Sequence, residues 1–149
     1  MPLSNASQTS LLDLIFQNTA WANVGDAAGL PGSTTAGDLY VALHTANPGA
    51  GGTQSTSEAA YTGYARVAIA RASASWTVSG SSPTSIANAA AVTFPACTGG
   101  TETETYFSIG LEASGATPIL VYGALTASLA VSSGITPSFA IGAMTTTVD

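Results

Sequence analysis

The side chains that could carry chemistry in this 149-residue chain are few, and their spacing limits what they could do. His44 is the one histidine. A serine-nucleophile mechanism would need it as base, with Asp38 as orienting carboxylate and one of many serines as nucleophile. No Gly-x-Ser-x-Gly turn marks such a serine, and a base must lie within hydrogen-bond reach of its nucleophile. His44 therefore reads as a surface or interface residue. Cys97 is alone, which excludes an internal disulfide, and in Phe94-Pro95-Ala96-Cys97 it reads as a small buried apolar residue. One histidine and one cysteine cannot supply the ligand set of a structural zinc site. Glu102 and Glu104 could contribute to a calcium site, but that ion takes about six to eight oxygens, and the pair reads as solvating a turn. Glu58, Glu102, Glu104 and Glu112 are the carboxyls from which a glycosidase pair would have to come, yet they fall at expected turns and strand ends. The glycine-rich Pro48–Gly52 run lacks a following Gly-Lys-Ser/Thr, so it does not cradle phosphate. The expectation is a protein that is not an enzyme and needs no cofactor or metal.

The two cations, Arg66 and Arg71, face eight acids, giving a net charge of −6 with no lysine. Binding to nucleic acid or anionic lipid needs clustered basic residues, so neither is an expected partner. Five residues apart on an extended segment, the two arginines point to opposite faces. One is expected to pair with Glu58 or Glu112. The other is expected to cross to a neighbouring chain, because arginine is enriched at interfaces. His44, Arg66 and Arg71 are thus candidate interface positions.

The elements that must position these residues read as strands. Asp38–Thr45 alternates Leu39, Val41 and Leu43 against Tyr40, Ala42 and His44, and Asn47-Pro48-Gly49 ends it. Further extended segments are expected at 64–71, 75–79, 90–94, 105–112, 119–125, 128–131 and 138–144. The segment 119–125, apolar on both faces, reads as a central strand. About eight strands separated by turns point to an all-β fold, a single antiparallel β-sandwich of jelly-roll type. The polar segment 46–63 is a long loop of the kind that often carries function. Ahead of the first strand, 1–10 reads as a flexible lead and 10–18 as a short helix with Ser10 as N-cap and Asp13 in its first turn. Leu11, Leu12, Ile15 and Phe16 share a broad face. The expected organisation is an N-terminal arm and linker over 1–37 and a β-sandwich domain over 38–149.

Composition agrees with this reading. Hydrophobic residues make up 46% and charged residues 7% of the chain, so hydroxyls and backbone must solvate much of its surface. Mean hydropathy is +0.35, yet no apolar run reaches the roughly 18 residues of a spanning helix. The N-terminus also lacks a basic region followed by an apolar stretch, so a protein made and assembled in the cytoplasm is expected rather than a secreted one.

Asp38-Leu39-Tyr40-Val41-Ala42-Leu43-His44-Thr45 with Asn47-Pro48-Gly49 resembles the opening of small tailed-phage virion proteins. The resemblance continues through Glu58–Val67, the Trp76 strand, Ala91–Pro95, Phe107–Gly110, Leu120–Leu125 and Ser133–Ala140, and so covers about residues 38–149. It implies a structural component of the particle and carries no catalytic motif. The expected role is a capsid decoration (cement) protein on the outer shell, trimeric, bound to the major capsid protein and to copies of itself. In that reading Leu11, Leu12, Leu14, Ile15, Phe16 and Trp21 form an apolar arm that docks on a neighbour; the other expectation for the helix is packing on its own domain, since most helical stability comes from tertiary contact. The alternative is a tail or tail-fibre component, with loops 46–63 and 112–118 facing a receptor or a neighbouring tail protein. A more remote one is a carbohydrate-binding module using Tyr40, Tyr61, Tyr64, Trp76 or Tyr106 as stacking surfaces.

Overall fold

A computed structural model describes residues 3–81 and 83–148. It contains helix α1 (Asn5–Phe16) followed by strands β1 (Asp38–His44), β2 (Val67–Ala70), β3 (Trp76–Ser79), β4 (Thr84–Asn88), β5 (Val92–Thr93), β6 (Thr101–Gly110), β7 (Ile119–Ser132), β8 (Ser138–Phe139) and β9 (Thr145–Val148). Strands account for 41% of the chain and helix for 8%, with antiparallel sheets, which is the expected all-β class with a short N-terminal helix. No helix among the described residues is long and apolar enough to cross a membrane. The chain divides into two compact units.

The first unit is drawn from Met1–Gly37, Ala70–Ala91 and Phe139–Asp149, so the segment read as an arm and linker is grouped with two later stretches. Helix α1 starts earlier than Ser10. Ser4 is its N-cap, with Oγ accepting the Ser7 N–H at 3.3 Å. The extra turn is held by Gln8, which is buried; its Oε1 accepts both the N–H and the hydroxyl of Thr84 at 3.1 Å. A polar lead was expected because that anchor is itself polar. Leu12 and Phe16 are buried, and Phe16 meets Trp76 edge-on with ring centroids 4.9 Å apart. Such a pair contributes about 0.5–1.5 kcal/mol beyond its area. The helix packs on an antiparallel sheet of order β3-β4-β9.

Strand β4 has no counterpart among the expected segments. Its sequence is Thr-Ser-Ile-Ala-Asn, and its buried face is Thr84, Ile86 and Asn88. Hydrogen bonds make those polar residues compatible with burial. Asn88 donates to the carbonyls of Ala90 and Ala140 and accepts the Met144 N–H at 3.0 Å.

The second unit comprises Asp38–Ile69 and Val92–Ser138. Its main sheet has the order β2-β1-β6-β7. Strand β1 is central, paired with β6 from Tyr40↔Gly110 to His44↔Tyr106. Leu39, Val41 and Leu43 are buried as expected, but so are Ala42 and His44, because both faces of β1 are covered. Strand β7 runs unbroken through the two segments at 119–125 and 128–131 and lies at the sheet edge, not its centre. Apart from the buried Val131, its apolar residues stay partly open, with Leu120 38% and Tyr122 40% exposed. The β6–β7 register moves from Glu104↔Leu129 to Tyr106↔Ala124, an irregularity that gives β7 extra residues at that point. Opposite Phe107 stands Gly123, where an added Cβ would come within 2.9 Å of the Phe107 ring. β5 pairs with β8.

Candidate functional site

The charged residues of the second unit converge on loops rather than on a catalytic cleft. Arg66, just ahead of β2, is 9% exposed and braces both long loops. Its Nε and Nη2 donate to the two oxygens of Glu58 at 2.6 and 2.8 Å, a bidentate ion pair. Nη1 donates to the Glu112 carbonyl at 3.0 Å and to Gln54 Oε1 at 3.3 Å; Nη2 also reaches the Gly115 carbonyl at 2.8 Å. All the N–H groups of this guanidinium are therefore spent within the chain. The pairing with Glu58 is the one expected, and Glu112 takes part through its backbone. The hydrogen-bonded Glu58 carboxylate holds the Arg66 pKa above its ordinary value.

Gln54 and Tyr64 extend the brace. Gln54 is fully buried, lying where a Cβ on Gly110 would collide with it. It donates to the Tyr40 carbonyl at 2.8 Å and accepts the Thr117 hydroxyl at 3.1 Å. Tyr64 donates to Glu58 at 3.1 Å and accepts the Leu43 N–H at 3.1 Å. Burial, with the Glu58 charge beside it, pushes the Tyr64 phenol well above its usual range. Beside these groups opens a cavity of about 340 Å³ lined by Glu58, Ala59, Tyr64, Arg66, Ser114 and Gly115 among others. Its walls come from loops 46–63 and 112–118, the two that the tail-fibre alternative assigned to contact, together with Tyr64–Arg66 ahead of β2.

His44 is not at a surface. It is fully buried, with Nδ1 2.8 Å from the Thr56 carbonyl and Nε2 2.7 Å from Ser108 Oγ. A carbonyl only accepts, so Nδ1 carries the proton and Nε2 accepts from the serine hydroxyl. Burial lowers the His44 pKa, which keeps the ring neutral. Ser108 is equally buried, so this serine–histidine pair ties β1, β6 and loop 46–63 together with no open path to a substrate. Asp38 lies at the exposed start of β1 and takes no part.

Glu102 and Glu104 lie on strand β6, not on a turn. The Glu102 carboxylate accepts the N–H groups of Ala60 at 2.9 Å and Tyr61 at 2.8 Å. Glu104 is fully buried, and no donor group reaches either of its oxygens. Burial first, and then the Glu102 carboxyl beside it, as acceptor for the Glu104 proton and as a charge, pushes its pKa up to about 8. Tyr61 is raised to about 12, chiefly by burial and then by the Glu104 charge. Cys97 is buried, as expected, with its thiol 3.2 Å from the Gly99 carbonyl. Among the described residues no group of three or more His, Cys, Asp or Glu side chains could hold a metal ion.

The remaining expected site residues lie in the first unit. Arg71, expected to reach a neighbour, instead caps the C-terminus of α1. It donates to the carbonyls of Ile15 at 2.6 Å and Leu14 at 2.7 Å, and to Ala36 at 3.1 Å. Those helix carbonyls have no partner within the helix itself, which explains why a cation is placed there. Leu12 and Phe16 are spent on the chain's own packing, while Leu11, Leu14, Ile15 and Trp21 are half-buried. Trp21 pairs its backbone with Leu30 at 2.9 Å. Sequence reasoning did not single out Gln54 and Tyr64 as parts of the Arg66 brace, Ser108 as the partner of His44, or the burial of Glu104. The usable signal in the sequence was the scarcity of cations, two arginines and no lysine against eight acids, which makes each arginine a focus for pairing.

A family model described as Podophage GP4 fiber I protein gp80 matches residues 2–147. The chain belongs to this family and is a bacteriophage virion structural protein. No curated protein matches it.

Proposed function

We propose, from that membership, that the protein is a fibre component of the virion whose loops 46–63 and 112–118 form a preorganised contact surface. The observation that carries this reading is the Arg66 brace, which fastens both loops through Glu58, Gln54 and the carbonyls of Glu112 and Gly115. Long loops are ordinarily mobile, and fixing them in advance reduces the ordering cost of binding. Capsid decoration is the second reading, favoured by the net charge of −6, which suits an outward face rather than the DNA-filled interior. Its proposed docking arm draws less support, because Leu12 and Phe16 are buried within the chain. Neither reading involves catalysis, and both leave the protein in contact with other virion proteins, including copies of itself.

Immunogold labelling of intact particles, with copy number from quantitative mass spectrometry, separates the two. A fibre component gives label at the tail or collar and a small copy number. Label spread over the head at hundreds of copies would replace this reading with decoration.

A further inference from the structure

We propose that Glu102 and Glu104 form an alkali-sensitive latch on the segment around Ala60 and Tyr61. While Glu104 keeps its proton, Glu102 holds the two backbone amides; loss of that proton drives the Glu102 carboxylate off them.

The geometry supplies each part. Residues two apart on a strand share a face, so the two carboxyls are neighbours on β6. Glu104 is fully buried, and no donor reaches its oxygens to stabilise the ionised form; while protonated, it has only the Glu102 carboxyl beside it. An unpaired charge in such a place is expensive, and a carboxyl there stays neutral instead. The groups that face it are Glu102 on the same strand, Tyr61 from loop 46–63, and Cys97, which acts on Tyr61. Leu129, the cross-strand neighbour on β7, brings no charge. Each titratable neighbour is neutral or negative. Within this unit, the guanidinium of Arg66 is already committed to Glu58. An ionised Glu104 therefore finds no counter-charge.

Relief must come from movement, and Glu102 is the freer group because it is partly exposed while Glu104 is sealed. When Glu102 leaves, the Ala60 and Tyr61 amides lose their acceptor. The opening is bounded on both sides: Ala59 N–H bonds the Leu43 carbonyl at 2.8 Å, and Thr62 N–H bonds the Gly99 carbonyl at 2.9 Å. Only the short stretch between those two pins is released. It adjoins Glu58 and Ala59, which line the cavity between the loops, so the latch adjusts one wall of the contact surface without dissolving the fold.

Amide hydrogen exchange on the full chain between pH 6 and 10, corrected for the intrinsic rate, tests the latch. Protection at Ala60 and Tyr61 is expected to fall about tenfold per pH unit above about pH 8, as for a one-proton linkage, with Ala59 and Thr62 unchanged. In Glu104→Gln the profile is expected to be flat. Equal profiles in wild type and variant, or simultaneous loss of protection throughout the unit, would overturn the proposal. Should the variant fail to fold, carboxyl-carbon NMR titration of Glu104 in the wild type decides: a midpoint near 8 supports the latch, and one near the ordinary 4.5 sinks it.

Discussion

At the scale of single residues, the second unit depends on buried polar groups that are paired, with one exception. Arg66 and Glu58 are both largely removed from solvent, so removing one partner strands the other. Arg66→Gln is expected to cost about 3–5 kcal/mol, read as a lowered denaturation midpoint. Arg66→Lys should recover only part of this, because an ammonium cannot fork to two oxygens. Two groups with opposite shifts set the response to pH. His44 titrates below 6.5 in the fold, so the unfolded chain takes up its proton first and stability falls as pH drops through 6.5. Glu104 is raised from 4.5 to about 8; the folded state keeps a proton that the unfolded chain gives up, so its contribution falls as pH rises from 4.5 to about 8. Each has a limiting slope of about 1.4 kcal/mol per pH unit. Urea titrations should therefore show declining stability from pH 6.5 to about 8, where Glu104 alone contributes, with His44 opposing that trend below 6.5. Glu104→Gln should remove that decline and exceed the wild type in stability at pH 8. None of this was visible from spacing: a lone histidine and a Thr-Glu-Thr-Glu run look solvent-facing until a loop is laid over the sheet that carries them.

At the scale of elements, local pattern revealed what exists better than where it lies. Leu12 and Phe16 at helical spacing correctly implied an apolar face, but the surface that covers it is the chain's own Trp76. Phe16→Ala is expected to cost about 3–5 kcal/mol through lost burial and an unfilled cavity, measurable as a shift of the thermal transition with α1 loosened in exchange. Strand β7 shows the converse. Its hydrophobic residues on both faces matched a central strand, yet it is an edge strand with one neighbour among the described residues. Hydropathy reports what a residue tolerates, not which neighbours the topology gives it. Strand β4 escaped notice for a related reason, since Thr84 and Asn88 are buried by hydrogen bonding rather than by apolarity.

At the scale of the whole molecule, the virion class was legible because ordered segments from Asp38 to Ala140 resemble phage structural proteins, and the family match from 2 to 147 includes the N-terminal residues as well. The two-unit grouping was not legible, because it depends on contacts far apart in sequence. The chain passes from the first unit to the second and back twice, and the first unit includes residues after 138. Its sheet is completed by β9, which pairs with β4 through Thr84↔Val148 and Ala87↔Thr145. Domains generally fold as units, the N-terminal ones first during synthesis. Here helix α1 and β4 emerge from the ribosome long before the strand that completes their sheet. The sheet of the first unit therefore gains its third strand only once the chain has been made as far as Thr145–Val148.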